Sequence, residues 1–237
     1  MRSEYSDLAA LAMKEKSSFE QYLSMLANVE IEYRQELRLK RLIKEAILPV
    51  DKNLENYDYT QVKGIGPRDV NKLIDGEFIR KAENIVFYGD IGVGKTHLAI
   101  GLSKKLCALG VRCYFTSTCA LIEKLKEAKQ NLALANLWKR LDRYQLIICD
   151  ELGYIPQTKE GADLFFQFIS QRYERRSILI TTNLTYSEWC NVFLDEVTTA
   201  AAVDRIIHHC KTFNIQAPSW RREQAKKRPE SEKIVQI

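Results

Sequence analysis

Ile85-Val86-Phe87-Tyr88-Gly89-Asp90-Ile91-Gly92-Val93-Gly94-Lys95-Thr96 runs from an apolar segment into a complete G-x-x-x-x-G-K-[ST] phosphate loop, and an amphipathic helix, Thr96 to Leu109, follows. Strand, loop and helix in this register gather backbone N–H groups and the positive end of the helix around one point, where an anion is stabilised. Lys95 adds a mobile charge for terminal phosphates, and Thr96 a hydroxyl for Mg²⁺. A Gly-rich turn would account for the glycines, but not for Lys-Thr and both flanking elements. Gly89, Asp90, Ile91, Gly92, Val93, Gly94, Lys95, Thr96 and His97 are therefore the expected nucleotide contacts, with ATP and Mg²⁺ as the expected ligands.

The surrounding chain suits one main domain with an appendage: 237 residues, 46% of them hydrophobic. A formal charge of +5, from 36 Lys plus Arg against 31 Asp plus Glu, permits a nucleic-acid partner without requiring one. With Glu4, Asp7 and Glu15 among the first apolar residues no signal peptide is expected, and no apolar run approaches the ~18 residues of a membrane span. The six cysteines include no C-x-x-C pair, which points to free thiols in a reducing compartment. A cytoplasmic protein without a membrane partner is expected. The His208-His209-Cys210 cluster is read against zinc, because neighbouring side chains on a helix diverge by about 100°.

Ser17-Ser18-Phe19-Glu20 fits a capping box, and apolar residues from Phe19 to Ile47 recur at roughly helical spacing until Pro49. Residues 1–56 are therefore expected to form a small helical module for partner or DNA contact. Its Arg34, Arg38, Lys40, Arg41 and Lys44 present either a solvated face or a phosphate-binding one. After a linker with Tyr57 and Tyr59, strands expected near residues 84–88, 111–115, 145–149, 177–181 and 211–215 alternate with helices. Such alternation predicts an α/β fold with a five-stranded parallel sheet covered on both faces and ligands at the carboxyl ends of its strands. The core is placed at 57–218 and a basic tail at 219–237.

Leu146-Ile147-Ile148-Cys149-Asp150-Glu151 is an apolar strand ending in two carboxylates. Charges at the end of a core strand are costly unless they meet a cation or water. Asp150 is the natural Mg²⁺ partner and Glu151 the candidate to polarise an attacking water, which favours hydrolysis over transfer to a small-molecule hydroxyl. Ser177-Ile178-Leu179-Ile180-Thr181-Thr182-Asn183 ends in a polar amide at the same edge, so Asn183 is a candidate sensor of the γ-phosphate or an ordinary turn residue.

Phosphate loop, Asp-Glu strand and Asn183 in this order resemble the AAA+ ATPases. Asp150-Glu151-Leu152-Gly153-Tyr154, Ile169-Ser170-Gln171-Arg172-Tyr173-Glu174-Arg175-Arg176-Ser177, Glu188-Trp189 and Asp204-Arg205 with His208-His209 narrow the match. Together they resemble the IstB-like ATP-binding proteins, helpers of insertion-sequence transposases and relatives of the DnaC-type helicase loaders. The resemblance implies a three-layer αβα AAA+ core with a short or absent helical lid. It implies that Lys95 and Thr96 bind phosphates and Mg²⁺, Asp150 the metal, Glu151 the water and Asn183 the γ-phosphate. It also implies that Arg205 enters a neighbouring subunit's ATP site; an arginine paired with Asp204 is the alternative. Arg172, Arg175 and Arg176 are secondary candidates for trans or DNA contact. The implied partners are double-stranded DNA, a transposase and further copies of the chain, with a DnaC-like replicative helicase loader as the alternative function.

Residues 101–145 carry nine basic side chains, from Lys104 to Arg143, against three acidic ones. Arg221, Arg222, Lys226, Lys227 and Arg228 form a second basic group. No base-reading motif is evident, so phosphate contact without sequence preference is expected, beside the alternative of ordinary surface lysines.

Overall fold

The computed structural model describes residues 5–49, 52–154 and 158–220. Two helices open the chain, α1 (Tyr5–Glu15) and α2 (Phe19–Ala46), followed by α3 (Pro67–Ile74) and α4 (Glu77–Arg80). The core then reads β1 (Asn84–Tyr88), α5 (Lys95–Ala108), β2 (Cys113–Ser117), α6 (Thr118–Gln130), α7 (Leu134–Leu141), β3 (Leu146–Leu152), α8 (Lys159–Arg172), β4 (Ser177–Thr182), α9 (Cys190–Phe193), α10 (Glu196–Ile207) and β5 (Cys210–Asn214). The five strands are parallel in the order β2-β3-β4-β1-β5.

Alternation along each strand divides the core into two layers, because successive side chains point to opposite faces. Ile85, Phe87, Phe115, Ile148 and Leu179 pack beneath α3, α5 and the end of α2. Val86, Tyr114, Ile147, Cys149, Ile178 and Ile180 pack against α6, α8 and α10. Helices thus cover both faces, and the strand ends collect along one edge with the strand starts along the other. Only six described residues follow β5, so the question of a lid lies outside the described residues, as do Arg221, Arg222, Lys226, Lys227 and Arg228. No described helix is long and apolar enough to cross a membrane.

The capping box lies one residue later than the sequence suggests. Ser18 accepts the Gln21 N–H at 3.2 Å, and the Gln21 side chain accepts the Ser18 N–H at 2.7 Å. The apolar stripe of α2 is only partly buried: Leu42 and Ala46 join the core, whereas Phe19, Leu23, Ile31, Tyr33 and Leu37 are exposed. Its positive face is largely paired within the helix, Arg34 with Glu30 and Lys40 with Glu36, both at 2.6 Å.

Arg172 is not a surface cation. It is 3% exposed, and its guanidinium donates to the carbonyls of Leu141 at 3.2 Å, Tyr144 at 3.1 Å, Gln145 at 3.3 Å and Ser177 at 2.8 Å. These bonds tie the end of α8 to the starts of β3 and β4. Burial lowers its pKa, while the four carbonyls favour the charged form. Arg175 and Arg176 sit instead beside Asp142 at 3.4 and 3.9 Å. Arg172→Ala strands this group of carbonyls and is expected to lower the unfolding free energy by about 2–4 kcal/mol in urea titration. Arg175→Ala, at an exposed pair, should change it by less than about 1 kcal/mol.

Candidate nucleotide site

The phosphate loop leaves β1 at Tyr88 and re-enters helix at Lys95. Lys95 Nζ donates back to the Gly89 and Asp90 carbonyls at 2.6 and 2.7 Å, which holds it over the loop. Thr96 Oγ1 donates to the Asp150 carboxylate, at 3.0 and 3.2 Å from its two oxygens. Strand order explains this meeting. With β4 between β1 and β3, the ends of these three strands form one row, and Thr181 of β4 also donates its hydroxyl to Asp150. Thr118, at the start of α6, donates to the Asp150 carbonyl at 3.1 Å.

Glu151 follows Asp150 but points elsewhere. The pairing of β3 with β4 slips between Cys149 and Leu152, and Glu151 takes a left-handed φ of 59°. Such a bulge re-aims a side chain at a small conformational cost, about 1 kcal/mol for a non-glycine residue. The Glu151 N–H is satisfied by Thr181 Oγ1 at 2.9 Å, and its exposed side chain turns into a cleft of about 650 Å³. Asp150 is therefore buried at the floor of the row, and Glu151 faces the space above it.

Ile91, Gly92, Val93, Gly94, Lys95, Thr96, His97 and Asn183 line the same cleft, whereas Gly89 and Asp90 contribute the carbonyls that hold Lys95. The opposite wall comes from Asn53, Asn56, Tyr57 and Val62, with Pro218 and Trp220 closing one side. Tyr57 donates to the Val93 carbonyl at 3.3 Å and meets the His97 ring edge-on at 5.2 Å. His97 Nε2 lies 2.8 Å from the Asn53 carbonyl, and burial lowers its pKa. His97 thus joins the wall to the loop. Gly94 has a φ of 95°, and a Cβ there would lie 2.8 Å from the Tyr57 ring, so both backbone and space call for glycine.

Arg205 stands apart from this cleft. It lies near the end of α10, just before β5 begins, on the edge where strands start. Its guanidinium lies 4.9 Å from the Phe166 ring centroid and donates to the Ala201 carbonyl at 3.1 Å. The sequence reading did not single out Thr181, Thr118 or the Asn53–Val62 wall. Adjacent hydroxyls at the end of an apolar strand, Thr181-Thr182, were the available signal for the first. The wall carries no motif.

A parallel sheet in this strand order, with the phosphate loop after β1 and paired carboxylates at the end of β3, is an AAA+ ATPase-like core. Solved structures of DnaI and of the DnaC helicase loader share this fold: TM-scores are 0.57 and 0.55, identities 17% and 22%, with 76% and 69% of this chain and 92% and 96% of those chains covered. Residues 1–228 match the IstB-like ATP binding protein family, and the chain belongs to it. The insertion sequence IS21 protein of Pseudomonas aeruginosa, named as an ATP-binding protein, is 36% identical over 91% of this chain and 82% of its own length. The corresponding IS5376 protein of Geobacillus stearothermophilus is 32% identical over 98% and 93%.

Thr181→Val keeps the shape of the side chain but removes one of the hydroxyl donors to Asp150 and the acceptor of the Glu151 N–H. It should lower the unfolding free energy by about 1–3 kcal/mol, measured in urea, and Thr181→Ser should restore most of that loss. An unchanged midpoint in the valine variant would show that the row does not depend on this hydroxyl.

Proposed function

We propose that this chain is a Mg²⁺-dependent ATPase that assembles on double-stranded DNA, without sequence preference, and assists a transposase. The carrying observation is the placement of Thr96 and Asp150 within hydrogen-bond distance beneath a cleft that Glu151 faces. Hydroxyl and carboxylate oxygens are the donors a hard cation takes, so Thr96 and Asp150 would hold Mg²⁺, which when bound polarises phosphate oxygens. Lys95 would exchange its loop carbonyls for the β- and γ-phosphates. Glu151 accepts a proton from water as the water oxygen attacks the γ-phosphorus; the bond to the bridging oxygen breaks, and ADP and phosphate leave. Asn183, on the cleft lining, would contact the γ-phosphate. Residues 1–56 serve as the partner- or DNA-contacting module, 57–218 as the ATPase core and 219–237 as a basic tail, all in the cytoplasm.

Arg205 would complete the ATP site of a neighbouring copy. Its position on the edge away from its own cleft supports action in trans, since a parallel sheet sets the two edges a full strand apart. For DNA, α7 and its exit offer exposed Lys139, Arg140 and Arg143. Much of the remaining charge of residues 101–145 is engaged locally: Lys126 with Glu123 at 2.8 Å, Lys129 with Glu160 at 2.7 Å and Arg112 with Glu45 at 3.3 Å. The helicase-loader alternative has only the shared fold in its favour, whereas the transposition reading has the family.

The test is mobility shift on random-sequence duplex DNA with ATP, ADP or no nucleotide, across a salt series. Assembly with ATP that weakens steeply with salt supports the reading; absence of DNA binding in every nucleotide state overturns it. Glu151→Gln should retain ATP and DNA binding while phosphate release falls by about 10²–10⁴-fold, and Lys95→Ala should lose ATP binding as well. Arg205→Ala alone should lower hydrolysis by about a thousandfold. Mixing it with Lys95→Ala subunits should restore part of the activity, because a mixed interface pairs an intact loop with an intact arginine. Full activity of Arg205→Ala rejects the assignment.

A further inference from the structure

Glu174, His208 and His209 converge on the edge where strands begin, away from the nucleotide cleft. All three are exposed, and one ligand atom from each lies within 4.8 Å of the others. Among the described residues no other group of three His, Cys, Asp or Glu converges in this way. The expected divergence of helical neighbours is not what is found at these positions, where the two imidazole rings approach one another. His208 caps the helix and His209 lies in the turn into β5, and their ring centroids come within 4.1 Å. Glu174 arrives from the turn between α8 and β4, where a left-handed φ of 55° bends the chain.

The distances suit coordination of one ion as well as an ion pair. Glu174 Oε1 stands 3.8 Å from His208 Nδ1 and 3.5 Å from His209 Nε2. Both exceed the ~2.7–3.2 Å of an ordinary hydrogen bond. They approach instead the ~3.3–3.5 Å separation between ligands that hold one ion tetrahedrally with bonds of ~2.0–2.1 Å. The Tyr173 hydroxyl lies 2.7 Å from His208 Nδ1, and binding would exchange that hydrogen bond for the metal. We propose that Glu174, His208 and His209 form a surface site for a divalent first-row transition ion, with Zn²⁺ as the fitting member. Two imidazoles and one carboxylate match its preference, whereas Mg²⁺ and Ca²⁺ take oxygen ligands. The ion would join the α8–β4 turn to the α10–β5 turn and so fix the end of α10 that carries Arg205. This inference stands independently of ATP hydrolysis.

The test uses the full chain in excess Mg²⁺, with Co²⁺ as a visible probe and Zn²⁺ as competitor. One equivalent per chain is expected to give ligand-field bands of a four- or five-coordinate site, displaced by Zn²⁺. His208→Ala with His209→Ala should abolish the bands. Glu174→Gln should weaken binding by about tenfold or more, and at an exposed turn it remains decisive if the histidine pair variant misfolds. Cys190→Ser should leave the bands unchanged. Absence of bands, equal affinity in the Glu174→Gln variant, or a sulfur-to-cobalt charge-transfer band from a cysteine site would each overturn the proposal.

Discussion

The carboxyl edge of the sheet is organised by one buried carboxylate. Asp150 is 6% exposed, and an ionised group placed there without partners would cost several kcal/mol or surrender its charge. Hydroxyls from Thr96 and Thr181 bond its oxygens, and Thr118 bonds its carbonyl, so α5, β4 and α6 all meet at this residue. These bonds also fix which way the carboxylate faces. Once Asp150 is held, the slipped pairing at Glu151 is the remaining freedom, and Thr181 closes it by accepting the Glu151 N–H. A single β4 hydroxyl therefore serves both acids, one kept down in the row and one lifted into the cleft.

The parallel sheet separates two sets of groups. Each helix returns the chain from the edge where a strand ends to the edge where the next begins, so strand ends gather the phosphate loop, Asp150, Glu151 and Asn183. Strand starts gather Arg175, Arg176, Arg205 and the histidine pair. Asn84 links the starts internally: its side chain donates to the Ile206 carbonyl at 3.1 Å and accepts the Ile178 N–H at 3.0 Å. The end of α10 is thereby fastened to β1 and β4. A residue on that edge is separated from its own phosphate loop by the length of a strand.

The legible parts of the sequence were those with a short-range cause. The phosphate loop, the acid pair and strands β1, β3 and β4 are written in contiguous apolar runs and fixed motifs, and all five observed strands start within two residues of the expected positions. Long-range causes were not legible. Arg172 resembles any other arginine in a charged helix end, and only the approach of three other segments reveals its four carbonyl partners. The apolar spacing of α2 reads as a core face, yet the helix is longer than the surface it covers, so only its last turns are buried. The approach of the His208 and His209 rings was likewise not legible from their adjacency.

The linker before the core extends the candidate nucleotide site beyond its motifs. Leu54 packs so closely on α5 that a Cβ at Gly101 would lie 2.8 Å from it, and Tyr57 presses in the same way on Gly94. Glycine inside a helix costs about 1 kcal/mol relative to alanine, and here that cost permits close docking. Leu54 and Tyr57 share one cluster with Leu42 and Ala46 of α2. A boundary at residue 56 therefore does not divide packing units. The wall of the cleft, the helix behind the phosphate loop and the last turns of α2 thus share one hydrophobic cluster.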